Sequence, residues 1–251
     1  MTMEAVLALR ADSEALLTAA ASFTADDWST PSGCAGWSVQ DVFVHLDNLF
    51  RLVTDPASLP RTDASDGTEA TQHKLVEARR GRASVDVLEG YRATAASALA
   101  VLETLQGIDD PIDLGDLGKH PTHLVANAFA FDHYTHIRAD VLGPIGPLDP
   151  LAPPADTLRL GAALDWMIAG FPQMNAEALS AVAGPVSLTL TGPAARTQRF
   201  LGEGDPLASV TSSSEAFVLW ATRRRPWRDA DVVIAGDMEV GAAFCDALHV
   251  M

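Results

Sequence analysis

The stretch Gly143 to Pro154, GPIGPLDPLAPP, constrains this chain most: five of its fifteen prolines fall there. Proline lacks an amide donor and restricts the residue before it, so the stretch can be neither helix nor central strand. It reads as a linker that divides the 251 residues into two parts of different texture. The expected boundaries are residues 1–145 and residues 155–251.

The first part is patterned for helices. Val6, Leu9, Leu16, Ala20 and Phe23 form one apolar stripe. Val39, Val42, Phe43, Leu46, Leu49, Phe50 and Val53 form a second at close helical spacing. Ser38 followed three residues later by Asp41 resembles a capping box, which fixes where that helix begins. Leu88, Tyr91, Ala95, Leu99, Leu102 and Leu105 make a third stripe. Leu124, Ala128, Phe131, Thr135 and Leu142 make a fourth, beginning after Pro121. Four such stripes joined by polar connections predict a four-helix bundle. The long segment Thr54 to Thr68 is expected to be a loop that carries substrate contacts or is disordered, and residues 69–80 to add a short helix.

The second part mixes periods. Residues 156–171 read as a helix through Leu160, Leu164, Met167, Ile168 and Phe171. VSLTLTG alternates apolar and polar positions as a half-buried strand does, and TQRFLG, LASVTSS and DVVIA read as further strands. SEAFVLWATRR and DMEVGAAFCDALHV read as helices. The fold class is therefore multidomain, an all-α bundle followed by a small α+β domain.

Composition narrows function by exclusion. A net charge of −16 offers no basic surface to offset phosphate, which argues against nucleic acid and anionic membranes. No apolar run approaches the roughly 18 residues of a membrane span. The N-terminal MTMEAVLALRADSEALL carries acidic residues early, unlike a signal peptide. With only Cys34 and Cys245, far apart and in no metal motif, the expectation is a reduced, cytoplasmic protein without a disulfide.

Chemistry-bearing residues concentrate in the bundle. Asp132 and His136 stand four apart in FAFDHYTHIRADVL and share a helix face, and His45 borders the apolar stripe of its own helix. Bundles build metal sites from such inward-projecting side chains. An imidazole and a carboxylate aimed at a core are costly unless paired or metal-bound. Three N/O ligands would leave a coordination position open, as in catalytic zinc sites. The same spacing also suits a plain Asp132–His136 hydrogen bond with His45 as a satisfied boundary residue. His133, rotated about 100° from Asp132, is expected to face outward. His123 competes with Asp132 and His136 on the same helix, and His73, His120 and His249, in loop or terminal contexts, are weaker candidates. Cys34 is expected to pack as a small hydrophobe in a turn, and Trp28 and Trp37 to be structural anchors.

The segment DDWSTPSGCAGWSVQDVFVHL, Asp26 to Leu46, resembles the mycothiol-dependent maleylpyruvate isomerase family in the order and spacing of Trp28, Cys34, Gly36, Trp37 and His45. FDHYTHIRADV resembles the family's second signature, and EAFVLWATRRRPW its late segment. The resemblance implies a DinB-like metal-binding four-helix bundle joined to a sterol-carrier-like domain. It implies a divalent metal, most often zinc, on His45, Asp132 and His136, and mycothiol as thiol cosubstrate. It also implies an active-site arginine at Arg224, a register uncertain by one within Arg223, Arg224 and Arg225. That arginine would contact a carboxylate of thiol or substrate in a cleft between domains. Read without the family, these arginines and Arg228 form a solvated basic patch at a helix end.

Two departures stand out. Asp132 occupies the place of a glutamate, and Asp140 lies four residues after His136, where the more familiar pattern has an aspartate three after. The implied function is a metal-dependent enzyme that activates a low-molecular-weight thiol for isomerisation or S-transfer on an electrophilic or unsaturated acid, as a monomer or homodimer. The alternatives are a DinB-like metal-dependent hydrolase, or a catalytically silent protein that binds metal or an apolar ligand.

Overall fold

The periodic segments become helices whose ends are set by local caps. The computed structural model describes residues 3–63 and 66–250. The helices of the first part are α1 (Met3–Ala20), α2 (Ala25–Ser29), α3 (Val39–Thr54), α4 (Thr68–Glu77), α5 (Ser84–Thr104) and α6 (Val125–Thr135). Ser38 and Asp41 close the expected capping box at the start of α3, and Thr24 with Asp27 closes another on α2. Each satisfies amide donors that a helix N-terminus otherwise leaves open. Ala64 and Ser65, in the long segment after α3, lie outside the described residues; Pro56–Ser58 forms a single 3-10 turn there.

The long helices pack on one another in the pairs α3 with α5, α1 with α6, α1 with α5 and α3 with α6. Their shared core includes Leu9, Leu16, Val42, Phe43, Leu46, Phe50, Tyr91 and Leu102, none more than 1% exposed. Trp28 seats α2 on this core through edge-to-face contacts with Phe23 and Phe43, an anchoring role as expected. Two buried ion pairs cross the packing. Arg138 donates from both terminal nitrogens to Asp12 of α1, at 2.9 and 3.0 Å. Arg79 donates to Asp47 and Asn48 of α3.

After α6 the chain does not simply stop. Residues His136–Val141 widen into a π turn. Between α5 and α6, β1 (Pro111–Asp113) and β2 (Lys119–Pro121) form an antiparallel pair. The proline-rich stretch is more than a linker: β3 (Leu142–Gly143) pairs in parallel with β4 (Leu148–Leu151), so the chain doubles back on itself. The short pairing is possible because Gly146 sits so close to the Val141–Leu142 backbone that a Cβ there would clash at 2.4 Å. Compact units divide at Pro154, the first being Met1–Pro154 and the second Ala155–Met251.

The second unit contains α7 (Thr157–Met174), α8 (Ala176–Ser180), β5 (Val186–Thr191), β6 (Arg196–Phe200), β7 (Ala208–Ser213), α9 (Ser214–Ala221), β8 (Val233–Gly236) and α10 (Met238–Ala247). The sheet order is β6-β5-β7-β8, with β5 parallel to β7 and the outer pairs antiparallel. Strict alternation puts Val186, Leu188, Leu190, Ala208 and Val210 on the buried face. Phe171, Phe200 and Phe244 cluster there. Thus a helical unit is followed by a small α+β unit, the class expected from the pattern. Among the described residues no helix is long and apolar enough to cross a membrane.

Candidate functional site

Within the helical unit α3 carries His45, while α6 and the turn after it carry Asp132 and His136. The structure brings these three together: one ligand atom from each lies within 4.8 Å of the others. The Oδ1 of Asp132 lies 3.7 Å from His45 Nε2 and 3.6 Å from His136 Nε2. Ligands bound at about 2.0–2.2 Å around a tetrahedral ion stand roughly 3.3–3.6 Å apart. The spacing therefore fits a divalent ion, and the shorter aspartate side chain does span to both imidazoles.

A second observation tests that fit. His45 is 5% exposed. Among the described residues neither of its ring nitrogens has a hydrogen-bond partner. A buried imidazole with no partner is costly. A cation drawn by the Nε2 lone pair and the Asp132 carboxylate would remove part of that cost. Burial also keeps the His45 ring neutral by pushing its pKa down, and neutral imidazole is the form that ligates.

His136 is fixed from behind. Its Nδ1–H donates to Asp140 Oδ2 at 2.7 Å, and Asp140 is 1% exposed. A ligating histidine commonly gives its second N–H to a carboxylate, which sets tautomer and ring direction. The π turn accounts for the unusual spacing of Asp140: its i to i+5 bonding widens the turn by a residue, so a side chain four residues on falls beneath His136.

Electrostatics follow from these contacts. Burial opposes the charged form of His136, but Cys34, Asp132 and Asp140 outweigh it, and its pKa lies well above the usual histidine range. Burial likewise opposes the Asp132 charge, yet the neighbouring His136 and His45 rings hold its pKa below the usual carboxylate range. The metal-free site is thus an ion pair of His136 and Asp132. The sign for stability differs between the two partners. The His136 charge stabilises the fold fully below pH ~6.5, and that contribution is lost as pH rises through the elevated folded value. The Asp132 contribution is present above pH ~3.9 and is lost on acidification towards the depressed value. Because a metal needs the neutral His136 ring, zinc binding at pH 7 is expected to release about one proton. Titration calorimetry in buffers of different ionisation enthalpy measures this, and a buffer-independent heat would contradict it.

Other residues were not legible as part of this site. Cys34 is not simply a packed hydrophobe: half-buried, it donates its S–H to Asp140 Oδ2 at 3.3 Å and lies 3.5 Å from His136 Nδ1. Cys34, His136 and Asp140 form a second group of potential ligand atoms sharing His136. Gly33 permits this approach, since its N–H donates to the Asp140 carbonyl and a Cβ would meet Asp140 Oδ1 at 2.5 Å. Trp37 is a neighbour of the site as well as an anchor. Its ring lies 5.2 Å from that of His45 and 6.4 Å from that of His136. Its Nε1–H donates to His73 Nδ1 on α4.

The remaining candidates sit elsewhere. His133 does not face outward: it is fully buried, bonded through Nδ1 to the Phe129 carbonyl and through Nε2 to the Tyr91 hydroxyl. Burial drives its pKa down to about 4, so it is a neutral core residue. His120 is also buried, held by the Leu117 carbonyl. Arg224 belongs to the second unit, in the turn that follows α9, where its N–H caps the Leu219 carbonyl. Nearby Arg228 forms a bidentate pair with Asp246 at 2.8 and 2.9 Å.

A helical unit that gathers His45, Asp132 and His136 is followed by a small mixed sheet. The chain belongs to the mycothiol maleylpyruvate isomerase N-terminal domain family, whose model matches residues 9–136. Its fold is similar to crystal structures of the mycothiol-dependent maleylpyruvate isomerase and of a mutant of that enzyme. The TM-scores are 0.55 and 0.54, with 95% of each chain covered at 12% identity. No curated protein matches the chain by sequence.

Proposed function

We propose that this protein is a metal-dependent enzyme that activates a low-molecular-weight thiol, mycothiol or a close analogue, for isomerisation or S-transfer on an unsaturated or electrophilic acid. The observation that carries the reading is the convergence of His45, Asp132 and His136, with both His45 nitrogens buried and unpartnered, inside a unit of this family. His45 Nε2, Asp132 Oδ1 and His136 Nε2 would hold a divalent metal, zinc being well suited to a His/Asp/His set. When bound, it supplies an open position at which a thiol loses its proton near neutral pH.

The chain's own residues then have defined tasks. Asp140 keeps the proton on His136 Nδ1, so that Nε2 stays directed at the cluster. Trp37 lies beside both imidazoles and limits water on that side. Arg224 is proposed, on its match to the family's arginine, to make a charge-assisted contact to a carboxylate of thiol or substrate. The sulfur adds to the activated double bond of a cis acid. Rotation about the new single bond and elimination return the thiol and release the trans isomer. With a saturated electrophile the carbon–sulfur bond remains and the leaving group departs.

Zinc-loaded protein supplied with maleylpyruvate or an electrophile is expected to turn over only when thiol is present, with mycothiol preferred over glutathione. Arg224→Ala is expected to lower turnover on the order of 10²-fold or more, the scale of one lost charge-assisted contact. Turnover of an ester or amide without thiol would assign the site to hydrolysis instead. A zinc-free protein, inert with every thiol, would overturn the reading.

A further inference from the structure

His45 and His136 address Asp132 in the same way but are backed differently. Each directs Nε2 at Asp132 Oδ1. An imidazole offering the Nε2 lone pair carries its proton on Nδ1, and a buried N–H requires an acceptor. For His136 that acceptor is Asp140. For His45 no such bond is closed.

The missing acceptor has a candidate on α4. Among the described residues, Gln72 Oε1 is also buried without a hydrogen-bond partner. Helix α4 approaches His45 across Trp37, whose ring lies 5.2 Å from that of His45 and 6.3 Å from that of His73, the residue after Gln72. The two helices that carry His45 and Gln72, α3 and α4, are packed together. An unpaired acceptor beside an unpaired donor needs only a small side-chain adjustment to satisfy both. Loading of the Nε2 face would favour that adjustment by fixing the ring.

We propose that Gln72 is a positioning residue whose Oε1 accepts the His45 Nδ1–H, fixing the tautomer that turns Nε2 toward Asp132. The inference rests on reading the three residues as a metal site, and extends it to α4. This helix is held at its other contacts by bonds from Thr68 to Asp116 and by the Trp37–His73 bond. It also makes the two imidazoles unequal. A carboxylate behind His136 strengthens that ring as a donor, whereas a neutral amide behind His45 does so less.

The test uses the metal-free full chain and its cobalt(II) form. Long-range proton–nitrogen NMR is expected to show His45 as the Nδ1–H tautomer in wild type, and to show loss of that preference in Gln72→Met. Competition with a chromophoric chelator is expected to show cobalt(II) held about 10–100-fold less tightly by Gln72→Met, the scale for second-sphere partners. Gln72→Glu, which keeps an acceptor, should remain at or above wild-type affinity. Thermal unfolding of metal-free Gln72→Met at or above the wild-type midpoint would show that the fold is intact. An Nε2–H tautomer in wild type, or equal cobalt affinity in Gln72→Met, overturns the inference. Wild type that binds no cobalt(II) would sink the metal-site reading separately, and the tautomer measurement would still decide the role of Gln72.

Discussion

His45→Ala is expected to lower zinc affinity on the order of 10³-fold, roughly one ligand's share of a site's binding free energy, while leaving the metal-free fold within about 1–2 kcal/mol of wild type. The reason for the separation is that His45 makes no hydrogen bond in the metal-free protein. Removing it leaves a void in α3, but it also removes two buried nitrogens that lack partners, and the two effects oppose each other. A satisfied core histidine would behave in the opposite way, losing stability and no metal. Thermal unfolding with and without zinc separates these outcomes. At free zinc 1,000 times the wild-type Kd, wild type should gain about 4.1 kcal/mol, whereas a variant weakened by that same factor gains only about 0.4 kcal/mol. Equal zinc stabilisation of both proteins would remove His45 from the ligand set. His136→Ala is a poorer probe, because it also strips the cation from between Asp132 and the buried Asp140.

Asp47→Ala is expected to cost about 3–5 kcal/mol of folding stability, the range for removing one partner of a buried ion pair. Asp47 is fully buried and accepts from Arg79, Arg51 and Thr94. Arg79 is itself only 6% exposed, so the alanine variant would leave a guanidinium inside the protein with only Asn48 to bond. Exposed pairs such as Arg10 with Glu103 contribute far less. Urea unfolding measures the difference. The double variant Asp47→Leu/Arg79→Met should recover most of the loss, since a packed apolar pair leaves no stranded charge. A loss below about 1 kcal/mol in the single variant would contradict the account. The pair matters to the site because Arg79, just beyond α4, ties that end of the chain to the helix that carries His45.

Much of the helical unit was legible because its elements announce themselves locally. The stripe from Val39 to Val53 and the Ser38–Asp41 box specify α3 almost to the residue. The i, i+4 relation of Asp132 and His136 survives the passage from α6 into the π turn. Orientation was harder to read where a helix is surrounded. Asp132 remains 26% exposed at its side chain while His133 is fully buried, the reverse of what a one-sided stripe implies. Helix α6 is enclosed on several sides, and the Tyr91 hydroxyl and Phe129 carbonyl satisfy the His133 ring there. A polar residue that finds its partners across the core carries no signal in spacing alone.

By itself the sequence determined the division into a helical and a mixed unit, the helix that begins at Ser38, and the shared helix face of Asp132 and His136. Each depends on periodicity, proline chemistry or short-range spacing, which act within a few residues. Only the tertiary structure decided that His45 meets Asp132 and His136, that Cys34 and Asp140 stand behind His136, and that Trp37 flanks both imidazoles. Apart from Asp140 with His136 and Trp37 with His45, these are meetings across 87 to 102 positions of chain. They are fixed by how buried donors and acceptors find partners once the helices have packed, a condition that no local pattern encodes.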